Sequence, residues 1–163
     1  MTPFRLAWWG LTLLVAALFA AMLVLGRQHL FAGPEALPPF DARVAGYTLE
    51  EARAYLVELT ADQMAFYAGP MRWMDTAFPL LLGLWGWVSL RGLGSRFALI
   101  APVYTVADLF ENALVGQMLK QGAEGLSPGY VDWASTATIV KFALLALALI
   151  ALGHVGLRRW GRL

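Results

Sequence analysis

The chain has 163 residues, of which 60% are hydrophobic and 14% charged; its formal charge is +1 and it contains no cysteine. Its mean hydropathy is +0.62. Soluble domains run at roughly 45–50% apolar residues, so this composition describes one membrane-embedded domain and excludes a second, water-soluble one. Without cysteine there are no disulfides, thiolate metal sites or thiol nucleophiles. No basic patch of the kind that binds nucleic acid is present.

The first apolar run, residues 6–25, is uncharged and lies between Arg5 and Arg27. Its basic start and small residues also describe a signal peptide, but its length exceeds the roughly 7–15 residues of a signal-peptide apolar core, so a retained helix is expected. Residues 28–69 form the only sizeable external segment. Pro34, Pro38 and Pro39 remove amide donors from its first part and favour a structured, extended connector. Thr48 with Glu51 reads as a capping box, opening a helix that lines Leu49, Ala52, Leu56 and Leu59 along one face. That amphipathic helix is expected to lie on the outer membrane surface or to cap the helices. Thr60 and Gln63 repeat the capping pattern, and Gly69-Pro70 is expected to interrupt the second helix at its entry into lipid.

Residues 71–90 form the second expected span, with Arg72 and Asp75 near its start. Residues 97–119 form the third, and residues 135–157, containing Lys141, the fourth. Each satisfies the requirement of about 20 mainly apolar residues for a span. Pro79 and Pro102 should kink their helices, Gly83 and Gly86 should allow close helix approach, and Trp73, Trp85, Trp87, Trp133 and Trp160 read as interface anchors. Residues 126–130 read as a tight turn into the last helix. The fold class expected is therefore all-α: a polytopic membrane protein with four transmembrane helices and an amphipathic outer helix between the first and second.

Charge placement orients the chain. With the N-terminus inside, the inner face receives Arg5, Arg91, Arg96, Arg158, Arg159 and Arg162 and no acid, while the acids fall outside with Arg27, Arg43, Arg53 and Lys120. The positive-inside rule then gives N-in and C-in topology, with a bacterial inner membrane as the natural host.

The third span carries the candidate site. Asp108, Glu111 and Asn112 are spaced i, i+3 and i+4, with Tyr104 one turn earlier and Thr105 beside it, so they share a helix face. Ionisable groups at such depth cost about 2.5–3.5 kcal/mol each and should face other helices or water rather than lipid. At about 1.5 Å per residue, Asp75, Lys141 and Glu111 come to roughly 8, 9 and 12 Å below the outer boundary. Lys141 is expected to pair with one or more of Asp75, Asp108 and Glu111. The surplus acid must then take a proton, find Arg72 or bind a cation. The same residues also suit a purely structural network holding the helices together.

Other chemistry is poorly provided for. His29 and His154 fall on opposite membrane faces, which excludes haem ligation by that pair, and neither sits in the Glu-x-x-His pattern of di-iron proteins. No nucleophile elbow, zinc-protease motif or phosphate loop occurs. Ser135, Thr136 and Thr138 precede Lys141, but hydroxyls that bond their own helix backbone are commoner than a Ser–Lys dyad. No metal and no cofactor are expected.

Phe40-Asp41, residues 46–52, Asp75 with Phe78-Pro79, the run 108–112 and Lys141 resemble a group of small, uncharacterised bacterial four-span membrane proteins. That likeness implies the architecture and the choice of residues, and no reaction. A fainter similarity, four spans with buried acids, extends to the sterol-isomerase and sigma-2-receptor superfamily without a shared motif.

Three functions fit these features. The first is a binding or transport site in which Asp75, Tyr104, Asp108, Glu111, Asn112 and Lys141 hold or move a lipid-like ligand or a proton. The second is a non-catalytic accessory or assembly subunit whose partner is another membrane protein. The third is an intramembrane lipid-modifying enzyme, using the acids in general acid–base roles.

Overall fold

The computed structural model describes residues 2–91 and 94–160. Arg162 therefore lies outside the described residues, as do the side chains of Arg158, Arg159 and Trp160. Among the described residues the chain is helical, with a single isolated antiparallel bridge, Ala32 to Leu37.

Helix α1 (Pro3–His29) opens on Thr2, whose hydroxyl accepts from the Arg5 amide at 3.4 Å, with Pro3 supplying a first residue that needs no donor. It outruns the expected 6–25 at both ends, because the flanking charged residues remain helical. The connector then folds back through the bridge, a 3-10 turn at Phe40–Ala42, and Gly46 at φ 83°.

Helix α2 (Leu49–Glu58) and helix α3 (Ala61–Phe66) each begin with a complete capping box, Thr48 with Glu51 and Thr60 with Gln63. Gly69-Pro70 does not interrupt the chain as expected. A π-turn at Tyr67–Met71 absorbs the proline, and the helix runs on into α4 (Arg72–Leu90). Widening the hydrogen-bond ring by one residue accommodates a missing N–H without breaking the helix.

The expected disturbance at Pro102 falls just upstream of it: helical hydrogen bonding is interrupted at Leu99, between α5 (Ser95–Ala98) and α6 (Ile100–Gln121), leaving Pro102 in the first turn of α6, where its absent N–H costs no bond within α6. The last helix, α7 (Pro128–Trp160), starts a full two turns before residue 135, with Pro128 as its first residue. The expected turn at 126–130 is therefore shorter than its sequence suggests. At 33 residues α7 is about 50 Å long, more than a hydrocarbon core requires.

Among the described residues three helical stretches are long and apolar enough to cross a membrane: Pro3–His29, Arg96–Gln121 and Pro128–His154. Helix α4 is not among them; Arg72 and Asp75 occupy its first turn. Leu13, Leu23, Val106, Ile150 and Leu157 are among the large apolar side chains left exposed along the long helices, as a lipid-facing surface requires.

Helices α4, α6 and α7 pack together, and α1 stands at the edge against α4. Trp8 and Trp85 fasten that edge. Their rings stack, Trp8 Nε1 donates to Ser89 Oγ at 3.0 Å and Trp85 Nε1 donates to Thr12 Oγ1 at 2.9 Å. Trp85 is thus a helix clasp, whereas Trp73, Trp87 and Trp133 stay exposed.

The apolar core sits at one end of the long helices. There Ala52, Tyr55 and Leu56 of α2, with Leu30, Phe40 and Tyr47 of the connector, pack on Leu114, Val115 and Met118 of α6 and Val131 and Ala134 of α7. Helix α2 therefore caps the helices, and its apolar face is consumed by that packing. The fully buried Tyr55 donates its hydroxyl to the Leu30 carbonyl at 2.8 Å, tying α2 to the end of α1.

Candidate functional site

Just below the cap, α6 presents Tyr104, Asp108 and Glu111 along one stripe, and α7 presents Thr138 and Lys141 one turn apart. All five are buried, Glu111 and Thr138 completely. Lys141 Nζ lies 3.2 Å from Asp108 Oδ1 and pairs with Glu111 Oε2 as well. Tyr104 donates its hydroxyl to the second Asp108 oxygen at 2.6 Å. Thr138 Oγ1 is bonded to Glu111 Oε1 and lies 3.0 Å from the Ala134 carbonyl. One ammonium thus faces two carboxylates in apolar surroundings.

Asn112 and Asp75 play a different part from the one their types suggest. Pro79 has no N–H with which to meet the carbonyl four residues earlier, that of Asp75. Asn112 fills the gap: its Nδ2 donates to the Asp75 carbonyl at 2.6 Å. The half-buried Asp75 side chain stays out of the Lys141 ion pairs. Arg72 does not serve the acids either, since its Nη1 donates to the Asn112 carbonyl at 2.6 Å. Gly116 makes room for it, because a Cβ there would fall on the guanidinium.

Close approach of α4 and α6 is what brings these groups together. At Gly83 an added Cβ would collide with the Thr105 hydroxyl, which donates to the Pro79 carbonyl at 2.9 Å, and at Gly86 it would come within 3.0 Å of the Ala101 Cβ. The sequence pairing of small residues with the polar stripe was the visible signal for this interface.

The residues missed by sequence reasoning come from the connector. Tyr47 is 7% exposed and turns its hydroxyl toward Thr138 and Glu111. Its amide donates to Ser135 Oγ at 2.8 Å, so Ser135 docks the connector and is not a dyad partner of Lys141. Burial pushes the Tyr47 hydroxyl well above its ordinary pKa, with the Glu111 charge adding to the effect, so it is a standing donor. Asp41 accepts from the Tyr67 hydroxyl at 3.0 Å and lies within electrostatic reach of Asp75, Glu111 and Lys141. For Thr138 a signal existed, since it lies three residues before Lys141 on the same helix face. Tyr47 and Asp41 are brought in by tertiary folding of a proline-rich segment that has no periodicity to read.

Two cavities are open elsewhere. One, of about 350 Å³, is an apolar groove lined by Phe110, Leu114, Ser127, Gly129, Tyr130 and Trp133. The other, of about 300 Å³, lies in the cap between Leu37, Pro38, Arg43, Gly46, Glu51 and Ala54. Neither is lined by Asp108, Glu111 or Lys141. Among the described residues no group of three or more His, Asp or Glu is arranged to hold a metal ion. No family model matches the chain, and no curated protein or solved structure is similar to it.

Proposed function

We propose that the protein is a multi-pass inner-membrane protein of four spans, α4 being the second, with both termini cytoplasmic, and that its buried site holds and exchanges a proton. The observation that carries this reading is the excess of carboxylate over ammonium: Asp108 and Glu111 share the single Lys141 inside apolar packing. Two ionised acids against one cation leave an uncompensated charge where it is most costly, and a proton removes it. Tight packing around the cluster favours a proton over a bulkier ligand. The distribution of basic residues, the exposed apolar helix surfaces and the resemblance of its short motifs to small bacterial four-span proteins support the topology.

A second reading, binding of a lipid-like amphiphile, is favoured by the apolar groove of about 350 Å³ beside Phe110 and Trp133. For the accessory-subunit reading the two candidate contact surfaces are α2 and the tryptophan-rich α4; Ala52, Tyr55 and Leu56 of α2 are buried within the chain itself, whereas Trp73 and Trp87 of α4 are exposed.

Proton counting tests the first reading. Potentiometric titration of the protein in lipid nanodiscs should show the wild type taking up about one proton more than Glu111→Gln between about pH 4 and 9. Identical curves for the two proteins contradict it.

A further inference from the structure

The Tyr47 hydroxyl is buried, completes no well-formed hydrogen bond, and lies within reach of Thr138 and of the Glu111 charge. A buried hydroxyl without a full hydrogen bond is costly and calls for a reason. Its placement is tightly specified. Gly46 sits at φ 83° where a Cβ would come within 2.6 Å of Ser135 Oγ and 2.9 Å of Ile139 Cδ1, so the connector lies directly on α7. The neighbouring amide bond to Ser135 fixes the register, and the Arg43 guanidinium covers the ring at 5.7 Å. Arg43 and Gly46 also line the cap cavity of about 300 Å³. Tyr47, the neighbour of Gly46, therefore links the wall of that cavity to the buried acids.

Thr138 has a single hydroxyl proton and two acceptors within reach, the Glu111 carboxylate and the Ala134 carbonyl. When Glu111 is ionised, Thr138 donates to it and leaves its lone pairs open. When Glu111 is protonated, the acid donates to Thr138, whose own proton turns to Ala134. The direction of this bond therefore changes with the charge of Glu111, and in the ionised state Thr138 keeps an acceptor free for the Tyr47 hydroxyl.

We propose that Tyr47 and Thr138 form the path by which a proton passes between the cap cavity and Glu111, with the Tyr47 hydroxyl as its gate. The proposal rests on the reading that the cluster exchanges a proton. In the inward direction the Thr138 O–H bond breaks as an O–H bond forms on Glu111. Thr138 then takes the Tyr47 proton, and Tyr47 is reprotonated from hydronium in the cavity, giving water. Both hydroxyls end neutral, one proton has moved, and nothing is oxidised or reduced. The charged and titratable groups facing this path are Lys141, Asp108, Asp75, Asp41, Arg43 and Tyr104.

Hydrogen–deuterium exchange of the Glu111 acid, followed by its infrared carboxyl band in nanodisc-embedded protein, tests the path. The band is assigned by its absence in Glu111→Gln. Tyr47→Phe should slow exchange at least about tenfold, the loss of one relay hydrogen bond, while the number of protons bound at equilibrium stays the same. Its melting temperature should fall little, because the deleted hydroxyl completes no well-formed hydrogen bond. Thr138→Val should slow exchange as well, and if that variant does not fold Tyr47→Phe decides alone. Wild-type exchange in Tyr47→Phe, with titration intact, overturns the path but spares the site. A wild-type carboxyl that neither titrates nor exchanges overturns both.

Discussion

Asn112 shows how a residue that looks like part of a site can serve the backbone. Its amide replaces the proton that Pro79 lacks, at 2.6 Å from the Asp75 carbonyl. Asn112→Leu should therefore destabilise the protein by about 1–3 kcal/mol, the cost of a buried carbonyl left without a donor. Adding Pro79→Ala, which restores an N–H within α4, should recover most of that loss. Unfolding in mixed micelles measures both, and an unimproved double variant contradicts this account of Asn112. Lys141 is held by two acids, so its removal should be costlier: Lys141→Met is expected to lose about 3–5 kcal/mol. Glu111→Gln together with Lys141→Met should be more stable than Lys141→Met alone. If the double variant is the weaker, the two residues are not a compensating pair.

Helix α2 owes its existence to local chemistry and its position to the core. The Thr48 amide donates to the Glu51 carboxylate at 2.7 Å, and this bond with the Thr48 hydroxyl holds the Glu51 carboxyl below its usual range. A depressed folded value means that the bond stabilises α2 at pH above the unfolded carboxyl value, about 4.3, and that this contribution fades as pH falls through the folded value. Amide protection in α2, taken relative to the intrinsic exchange rate at each pH, should accordingly fall below about pH 4 in the wild type. In Glu51→Gln that acid dependence should vanish, and its persistence there would assign the effect to another group. Both capping boxes were legible in the sequence, because Thr-x-x-Glu and Thr-x-x-Gln satisfy orphan donors locally. The fate of Gly69-Pro70 was not, since a proline can end a helix or be absorbed by a π-turn according to what packs around it, here with Tyr67 and Met71 buried. The early start of α7 was hidden for a related reason. Residues 128–134 open on Pro128-Gly129 and so read as a turn, yet Val131 and Ala134 are helical and the cap packs on them.

Across the whole molecule, tight packing is concentrated at the cap end, and α1 contributes only Val15 and Gly26 to the buried residues. The polar stripe of α6 and its alignment with Lys141 could be read from spacing, since lipid leaves charged residues few places to face. The share of Asp75 in the network could not, because proline-driven backbone repair overrides side-chain type. Four spans with both termini inside predict a particular labelling pattern, and the absence of cysteine makes it straightforward to measure. A single cysteine at Glu50 should react with an impermeant thiol reagent from the outer face, and one at Arg91 only after the membrane is opened. The opposite pattern contradicts the orientation, and reaction of both from one face contradicts the four-span count.

The central claim is that the acids sharing Lys141 bind a proton reversibly. Infrared difference spectra between about pH 4 and 9 address it most directly, because a protonated carboxyl in apolar surroundings absorbs apart from all other groups. The account expects a carboxyl band that titrates in the wild type and is lost in Glu111→Gln. A spectrum with no titrating carboxyl band, or one unchanged by Glu111→Gln, contradicts it and leaves the cluster as a structural fastening between α6 and α7.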